Sequence, residues 1–112
     1  MKILIVDDNT QVRALLREYL PAEVSDVYEC GDGGAAVLLY GQHHPDWVLM
    51  DQDMPVMDGI TAIREIRARF SSANICMVTA LDDEDLRTAA FAAGASGFVV
   101  KANLYQIEAI LG

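Results

Sequence analysis

Trp47-Val48-Leu49-Met50-Asp51-Gln52-Asp53-Met54-Pro55-Val56-Met57-Asp58-Gly59 opens as a short apolar run and then breaks into carboxylates, a proline and a glycine. A run of this length and composition predicts a buried strand, and the break marks where the chain leaves the core. Asp51 therefore stands at the carboxyl end of a strand, the edge at which open α/β sheets build their sites. The chain begins the same way: Ile3-Leu4-Ile5-Val6 runs straight into Asp7-Asp8. Two strands that both end in carboxylate predict one acidic pocket.

Outward from this stretch, short β-like runs alternate with amphipathic helices. Lys2–Val6 predicts the first strand, and Asn9 caps a helix over Thr10–Leu20 with Val12, Leu15, Leu16 and Tyr19 on one face and Pro21 as its stop. A second strand is expected over Val24–Cys30, with Val27 and Tyr28 turned inward. Gly31-Asp32-Gly33-Gly34 reads as a turn, and Asp32 as the cap of a helix carrying Ala36, Val37, Leu39 and Tyr40 that ends around Gly41–His44. Trp47–Met50 is the third strand. Gly59 then opens a helix whose Ile60, Ile63, Ile66 and Phe70 recur at helical spacing. Asn74–Thr79 is the fourth strand, and the acidic Asp82–Glu84 favours a helix start that runs to Ala93 before Gly94. Gly97–Val100 is the fifth strand and Leu104–Leu111 a last, short helix.

Five strands alternating with five helices, most strands bare of polar residues, predict an α/β fold with a parallel sheet covered on both faces. Right-handed crossovers then bring every strand's carboxyl end to one edge. Residues 1–112 read as one domain, without repeats or linkers. The chain stops within a turn of its last expected helix, so any second domain is expected to have been lost or never to have existed.

Composition narrows the function. Hydrophobic residues make up 53% of the chain, which argues against disorder, and no apolar run approaches a membrane span. Asp7 and Asp8 cut off what would otherwise resemble a signal peptide, so a cytoplasmic protein is expected. Eight basic against 17 acidic residues give a net charge of −9, a field that repels nucleic acid and suits a cation or a partner with a basic face. Cys30 and Cys76 lie in or beside apolar runs and read as reduced, buried thiols.

Asp7-Asp8, Asp51, Thr79 and Lys101 all fall at strand ends on the shared edge. Crowded carboxylates need a hard cation or protons, and magnesium suits a few carboxylates completed by waters and phosphate oxygens. A carboxylate beside such a metal can act as a nucleophile on phosphorus and form an aspartyl phosphate. Thr79 can offer a hydroxyl and Lys101 a point charge to phosphoryl oxygens. Each residue alone has a plainer reading. Asp7 or Asp8 can merely end a strand, Asp58-Gly59 can be a turn and helix cap, Thr79 can finish a strand, and Lys101 can lie along the surface. The glycines at 31, 33 and 34 lack the lysine and spacing of a P-loop, His43-His44 reads as a solvated loop, and Trp47 as a packing residue.

The whole chain resembles a response-regulator receiver domain. The residues that carry the likeness are Asp7-Asp8, Asp51 with Met54-Pro55 and Asp58-Gly59, Thr79-Ala80, and Phe98-Val99-Val100-Lys101. The resemblance implies the doubly wound, flavodoxin-like (CheY-like) sheet with strand order 2-1-3-4-5. It also implies a two-component signalling switch. Asp51 is then the phosphoacceptor, served by the phosphohistidine of a sensor histidine kinase or a phosphotransfer protein. Asp8 and Asp51 hold magnesium through their side chains, Asp53 through its backbone carbonyl, and Asp7 mainly through water. Thr79 and Lys101 take phosphoryl oxygens, and Phe98 is the aromatic switch that follows Thr79. Asp53 and Leu81, two residues beyond Asp51 and Thr79, flank the path of the hydrolytic water. Output passes through the surface of the fourth helix, fifth strand and last helix, with room for a phosphorylation-dependent dimer. Such a domain is no enzyme in the ordinary sense, catalysing only its own phosphorylation and dephosphorylation.

One departure stands out. Many receivers place proline after the active-site lysine, usually with a cis peptide, whereas Ala102 follows Lys101 here. A cis bond before alanine is costly, so a trans bond and a differently shaped loop are expected, which bears on where Lys101 sits. The missing proline and the Ala92-Ala93-Gly94-Ala95-Ser96-Gly97-Phe98 stretch resemble receivers joined to LuxR-type, DNA-binding output domains, absent from this chain. Two other readings remain: a pseudo-receiver that assembles partners without phosphoryl transfer, favoured by Ala102 and the short last helix, and a magnesium-dependent phosphatase or phosphotransferase of small molecules.

Overall fold

Apolar runs become strands and amphipathic runs become helices in the computed structural model, which describes residues 1–112. Their order is β1 (Lys2–Val6), α1 (Thr10–Arg17), β2 (Asp26–Cys30), α2 (Gly33–His43), β3 (Trp47–Met50), α3 (Gly59–Arg69), β4 (Ile75–Thr79), α4 (Glu84–Ala93), β5 (Gly97–Val100) and α5 (Gln106–Leu111). The five strands form one parallel sheet in the order β2-β1-β3-β4-β5. This is the expected doubly wound order.

Side chains alternate along each strand, so each strand feeds two cores. Ile3, Ile5, Leu49, Cys76, Val78 and Val99 face a layer made by α1 and α5. Leu4, Val6, Val48, Met50, Ile75, Met77 and Phe98 face the layer of α2, α3 and α4. Both faces are dry, which is why the central strands read as unbroken apolar runs rather than as alternation. Each fully buried Ile, Leu or Met contributes about 1.5–3 kcal/mol. No helix is long and apolar enough to cross a membrane.

Four of the helices start from an Asn or Asp that accepts from its own first turn: Asn9 from Gln11 and Val12, Asp32 from Ala35, Asp58 from Thr61, and Asp83 from Asp85 and Leu86. Such caps are worth about 1 kcal/mol each. All four close loops that follow strands, so they also fix where each chain segment turns at the carboxyl edge of the sheet.

Several boundaries differ from the sequence reading. Helix α1 stops at Arg17, because Glu18, Tyr19 and Leu20 donate to the carbonyls of Leu15, Leu16 and Arg17 in a tighter turn ahead of Pro21. Strand β2 begins at Asp26, since Val24 is occupied in a turn with its N–H on the Pro21 carbonyl. Strand β4 starts one residue late, at Ile75. Lys101–Asn103 forms a 3-10 turn and α5 begins only at Gln106. The two histidines are not a solvated loop. His43 ends α2 with its ring stacked on the half-buried Tyr28 at 3.9 Å, and His44 caps the helix at φ 47° with its ring edge-on to Phe70 at 5.4 Å. Aromatic contact partly covers His43, while His44 stays exposed.

Register places the site. Val6 pairs with Met50 and Met50 with Met77, while Thr79 pairs with Val100. The residues that follow Val6 and Met50 are Asp7 and Asp51, which leave neighbouring strands side by side, and Lys101 follows Val100 at the same edge beyond β4.

Candidate functional site

The core contains three buried polar or charged side chains, Asp7, Asp51 and Thr79, exposed by 1%, 6% and 1%. Burying carboxylates is costly unless they are paired, so their environment has to supply partners. Asp7 is fully engaged: Oδ1 accepts the Asn9 N–H at 2.9 Å, and Oδ2 accepts Lys101 Nζ at 2.8 Å. Lys101 Nζ also reaches Asp51 Oδ1 at 3.3 Å and so bridges the two carboxylates. Asp8 stands exposed at the mouth, and its carboxylate oxygen lies with those of Asp7 and Asp51 inside a 4.8 Å group.

These contacts set the protonation. Burial raises the Asp51 carboxyl above its ordinary value and the charge of Asp7 pushes the same way, with Lys101 opposing both. Burial on its own would lower the Lys101 ammonium, but its hydrogen bond to Asp7 and the charges of Asp51 and Asp7 carry it above its ordinary value. Lysine is thus firmly cationic, and Asp51 is the carboxylate that most needs relief.

Three carboxylates against one ammonium leave two negative charges in the cluster. The donors are all carboxylate oxygens, without sulfur or imidazole, and one of them faces solvent. That set fits a hard divalent cation such as magnesium, which takes few carboxylates and retains waters.

The loop after β3 is built to hold Asp51 in place. The Gly59 N–H donates to the Gln52 carbonyl at 3.0 Å, and a side chain on Gly59 would collide with the Asp51 carbonyl oxygen. Gln52 fastens the same loop, its Oε1 accepting from the Ile60 N–H at 2.9 Å. Farther along, Met57 offers its carbonyl to the Gly33 N–H at 3.2 Å, and a Cβ on Gly33 would lie only 2.5 Å from that oxygen. Between these anchors Val56 turns at φ 69° and is 89% exposed.

Each residue singled out in the sequence now has a place. Asp7, Asp8, Asp51 and Lys101 meet in one cluster. Lys101 is no surface side chain, and Ala102 does not displace it: the chain has no cis peptide, and the 3-10 turn still aims Nζ into the pocket. Thr79 ends β4 with Oγ1 accepting from the Leu81 N–H at 3.2 Å. Asp53 is exposed in the loop after β3, and Leu81 is 49% exposed. Phe98 is buried, with the Arg87 guanidinium 5.5 Å from its ring centre. Asp58 is the turn and cap that its spacing suggested. Sequence reading passed over Arg13, Glu29 and Gln52. Of these only Arg13 left a trace, lying one helical turn beyond Asn9.

Comparison with known proteins bears on this arrangement directly. A family model described as the response regulator receiver domain matches residues 3–111. The chain is 39% identical over 111 residues to the chemotaxis protein CheY of Bacillus subtilis, covering 98% of this chain and 91% of that one. Among solved structures, it resembles a two-component response regulator of the LuxR family from Aurantimonas sp. SI85-9A1 (39% identity, TM-score 0.88, 98% of this chain and 84% of that one). It also resembles the receiver domain of the histidine kinase CKI1 from Arabidopsis thaliana complexed with Mg2+ (29% identity, TM-score 0.81, 95% of this chain and 86% of that one). A matching model over nearly the full length, a relative covered to 91% of its length, and an acidic cluster at the carboxyl edge of a 2-1-3-4-5 sheet agree: the chain belongs to the response regulator receiver domain family of two-component signalling.

Proposed function

We propose that this chain is a phosphorylation-activated switch in which Asp51 accepts a phosphoryl group from the phosphohistidine of a sensor histidine kinase or phosphotransfer protein. The observation that carries this reading is the cluster itself, in which buried Asp51 shares Lys101 with Asp7 and keeps its charge incompletely balanced. An Asp51 carboxylate oxygen attacks phosphorus, the P–N bond breaks, and its electron pair stays on the imidazole nitrogen. Asp8 and Asp51, with the Asp53 carbonyl and with Asp7 mainly through water, would hold magnesium, which would neutralise charge on the phosphoryl oxygens when bound. Lys101 turns from Asp51 toward a phosphoryl oxygen, and the Thr79 hydroxyl donates to another.

Movement of Thr79 is then passed to Phe98, and output leaves through the surface of α4, β5 and α5. A separate output domain or a second phosphorylated copy is a fitting receiver of that change. Water returns the switch to rest by hydrolysing the acyl phosphate, so the domain acts on no substrate but itself. The pseudo-receiver reading drew on Ala102 and the short last helix; Lys101 reaches the pocket in spite of Ala102, while α5 is indeed only six residues long.

Mass spectrometry after incubation with acetyl phosphate and magnesium tests the proposal. Wild type is expected to gain one phosphoryl group and Asp51→Asn none. Equal labelling of both proteins, or of neither, removes Asp51 as the acceptor.

A further inference from the structure

The peptide that carries Asp8 is held from the side by a residue that hydrogen-bonds neither pocket carboxylate. Arg13, on α1, donates from Nη1 to the main-chain carbonyl of Asp7 at 2.6 Å and from Nε to Glu29 Oε1 at 2.9 Å. Glu29, on the edge strand β2, takes Arg17 Nε on its other oxygen at 2.6 Å. Burial works to raise the Glu29 carboxyl, but the hydrogen bonds of Arg17 and Arg13 keep it below its ordinary value, so the clamp stays charged. The Asp7 N–H meanwhile donates to the Cys30 carbonyl at 3.1 Å.

Both peptide groups that flank the Asp7 α-carbon are therefore pinned. The one between Asp7 and Asp8 is planar, so fixing its carbonyl fixes the direction in which Asp8 leaves. Asp7 has its side chain bound twice and needs no such help. Asp8 does: it is exposed and takes part in none of the ion pairs.

We propose that Arg13 is a positioning residue for the cation, holding the Asp7–Asp8 peptide so that Asp8 faces Asp7 and Asp51, while Glu29 keeps Arg13 from pairing with the pocket carboxylates itself. This rests on the reading that the cluster takes a divalent cation. Groups one shell beyond a metal's ligands commonly govern its affinity in this way.

Charge and geometry make opposite demands, which gives the test its sign. Removing a guanidinium near an acidic pocket should tighten cation binding by electrostatics alone. Removing the support of Asp8 should weaken it. Magnesium is titrated into wild type, Arg13→Met and Arg17→Met, following backbone amide shifts by NMR, with melting curves in magnesium-free buffer to establish folding. Arg17→Met loses the same charge and the same Glu29 partner, but Arg17 makes no bond to the Asp7 carbonyl. Arg13→Met is expected to weaken magnesium on the order of tenfold, and Arg17→Met to leave it unchanged or slightly tighter.

Equal or tighter binding by folded Arg13→Met overturns the inference, as does a matching loss in Arg17→Met. If Arg13→Met does not fold, Arg13→Lys serves: it keeps the charge but cannot fork between Glu29 and Asp7, and its affinity should still fall. A wild type that shows no magnesium response overturns the cation reading, and this inference with it.

Discussion

At Asp51, burial makes the charged form costly. Its folded carboxyl titrates above the ordinary value, so between those two values the folded state binds more protons there than the unfolded chain. Stability from this group is therefore present at low pH and lost as pH rises through that window. At neutral pH the anion is a net cost, and Asp51→Asn should remove it. Its Tm in magnesium-free buffer is expected to exceed that of wild type, at about 4 °C per kcal/mol for a domain of this size. The advantage should shrink as the pH falls from the raised value toward the ordinary one and be gone below it, and a scan of Tm against pH in both proteins checks it. Val56 stores a different cost, being β-branched at φ 69° with 89% of its surface exposed. A left-handed conformation costs an L-residue roughly 1–2 kcal/mol. Val56→Gly should recover about 1 kcal/mol of that in urea unfolding, since little packing is lost. A stability equal to or below wild type would mean the loop is not strained there.

Among the elements, the loop between β4 and α4 is where the proposed phosphoryl lifetime can be tested. Its Leu81 is 49% exposed, and its N–H is tied to Thr79 Oγ1. An apolar side chain cannot orient a water, so the proposed role of Leu81 is to shield the acyl phosphate. Leu81→Glu should speed dephosphorylation several-fold in excess magnesium, and decay as slow as wild type would exclude a shielding role. The strands of this loop and its neighbours were legible in advance because buried parallel strands are uniform apolar runs, and their ends could be read off at Asp7, Asp51, Thr79 and Lys101. Helix caps at Asn9, Asp32 and Asp58 were legible too, being chemistry within a few residues. What escaped depends on distant partners. His43 found Tyr28 across a strand–helix crossover, and Arg13 found the Asp7 carbonyl and Glu29. No local pattern encodes those meetings.

For the molecule as a whole, a net charge of −9 on a fold only 31 × 30 × 24 Å means that folding concentrates like charge. Part of that cost is general and is relieved by any salt within a Debye length. Part is local to the acidic cluster and needs a cation bound there. Magnesium should thus raise the Tm of wild type beyond an equal ionic strength of KCl, by mass action on the native state; ten times Kd contributes about 1.4 kcal/mol. Asp8→Ala should keep the KCl response and lose the excess. Identical curves for the two salts in wild type would count against a specific site.

Cys76 gives this fold an internal clock. It is fully buried in β4 between β3 and β5, its thiol pushed up to about 12, whereas Cys30 lies half-buried on the edge strand β2 at about 11. Only the thiolate attacks a disulfide reagent, so burial slows both cysteines, fully buried Cys76 more than half-buried Cys30. Fraying of the edge should release Cys30 first, and Cys76 should react only when the centre of the sheet parts. Labelling under native conditions is therefore expected in two phases, the slower one retarded further by whatever ligand the acidic pocket takes. Simultaneous reaction of both thiols would show instead that this sheet opens in a single step.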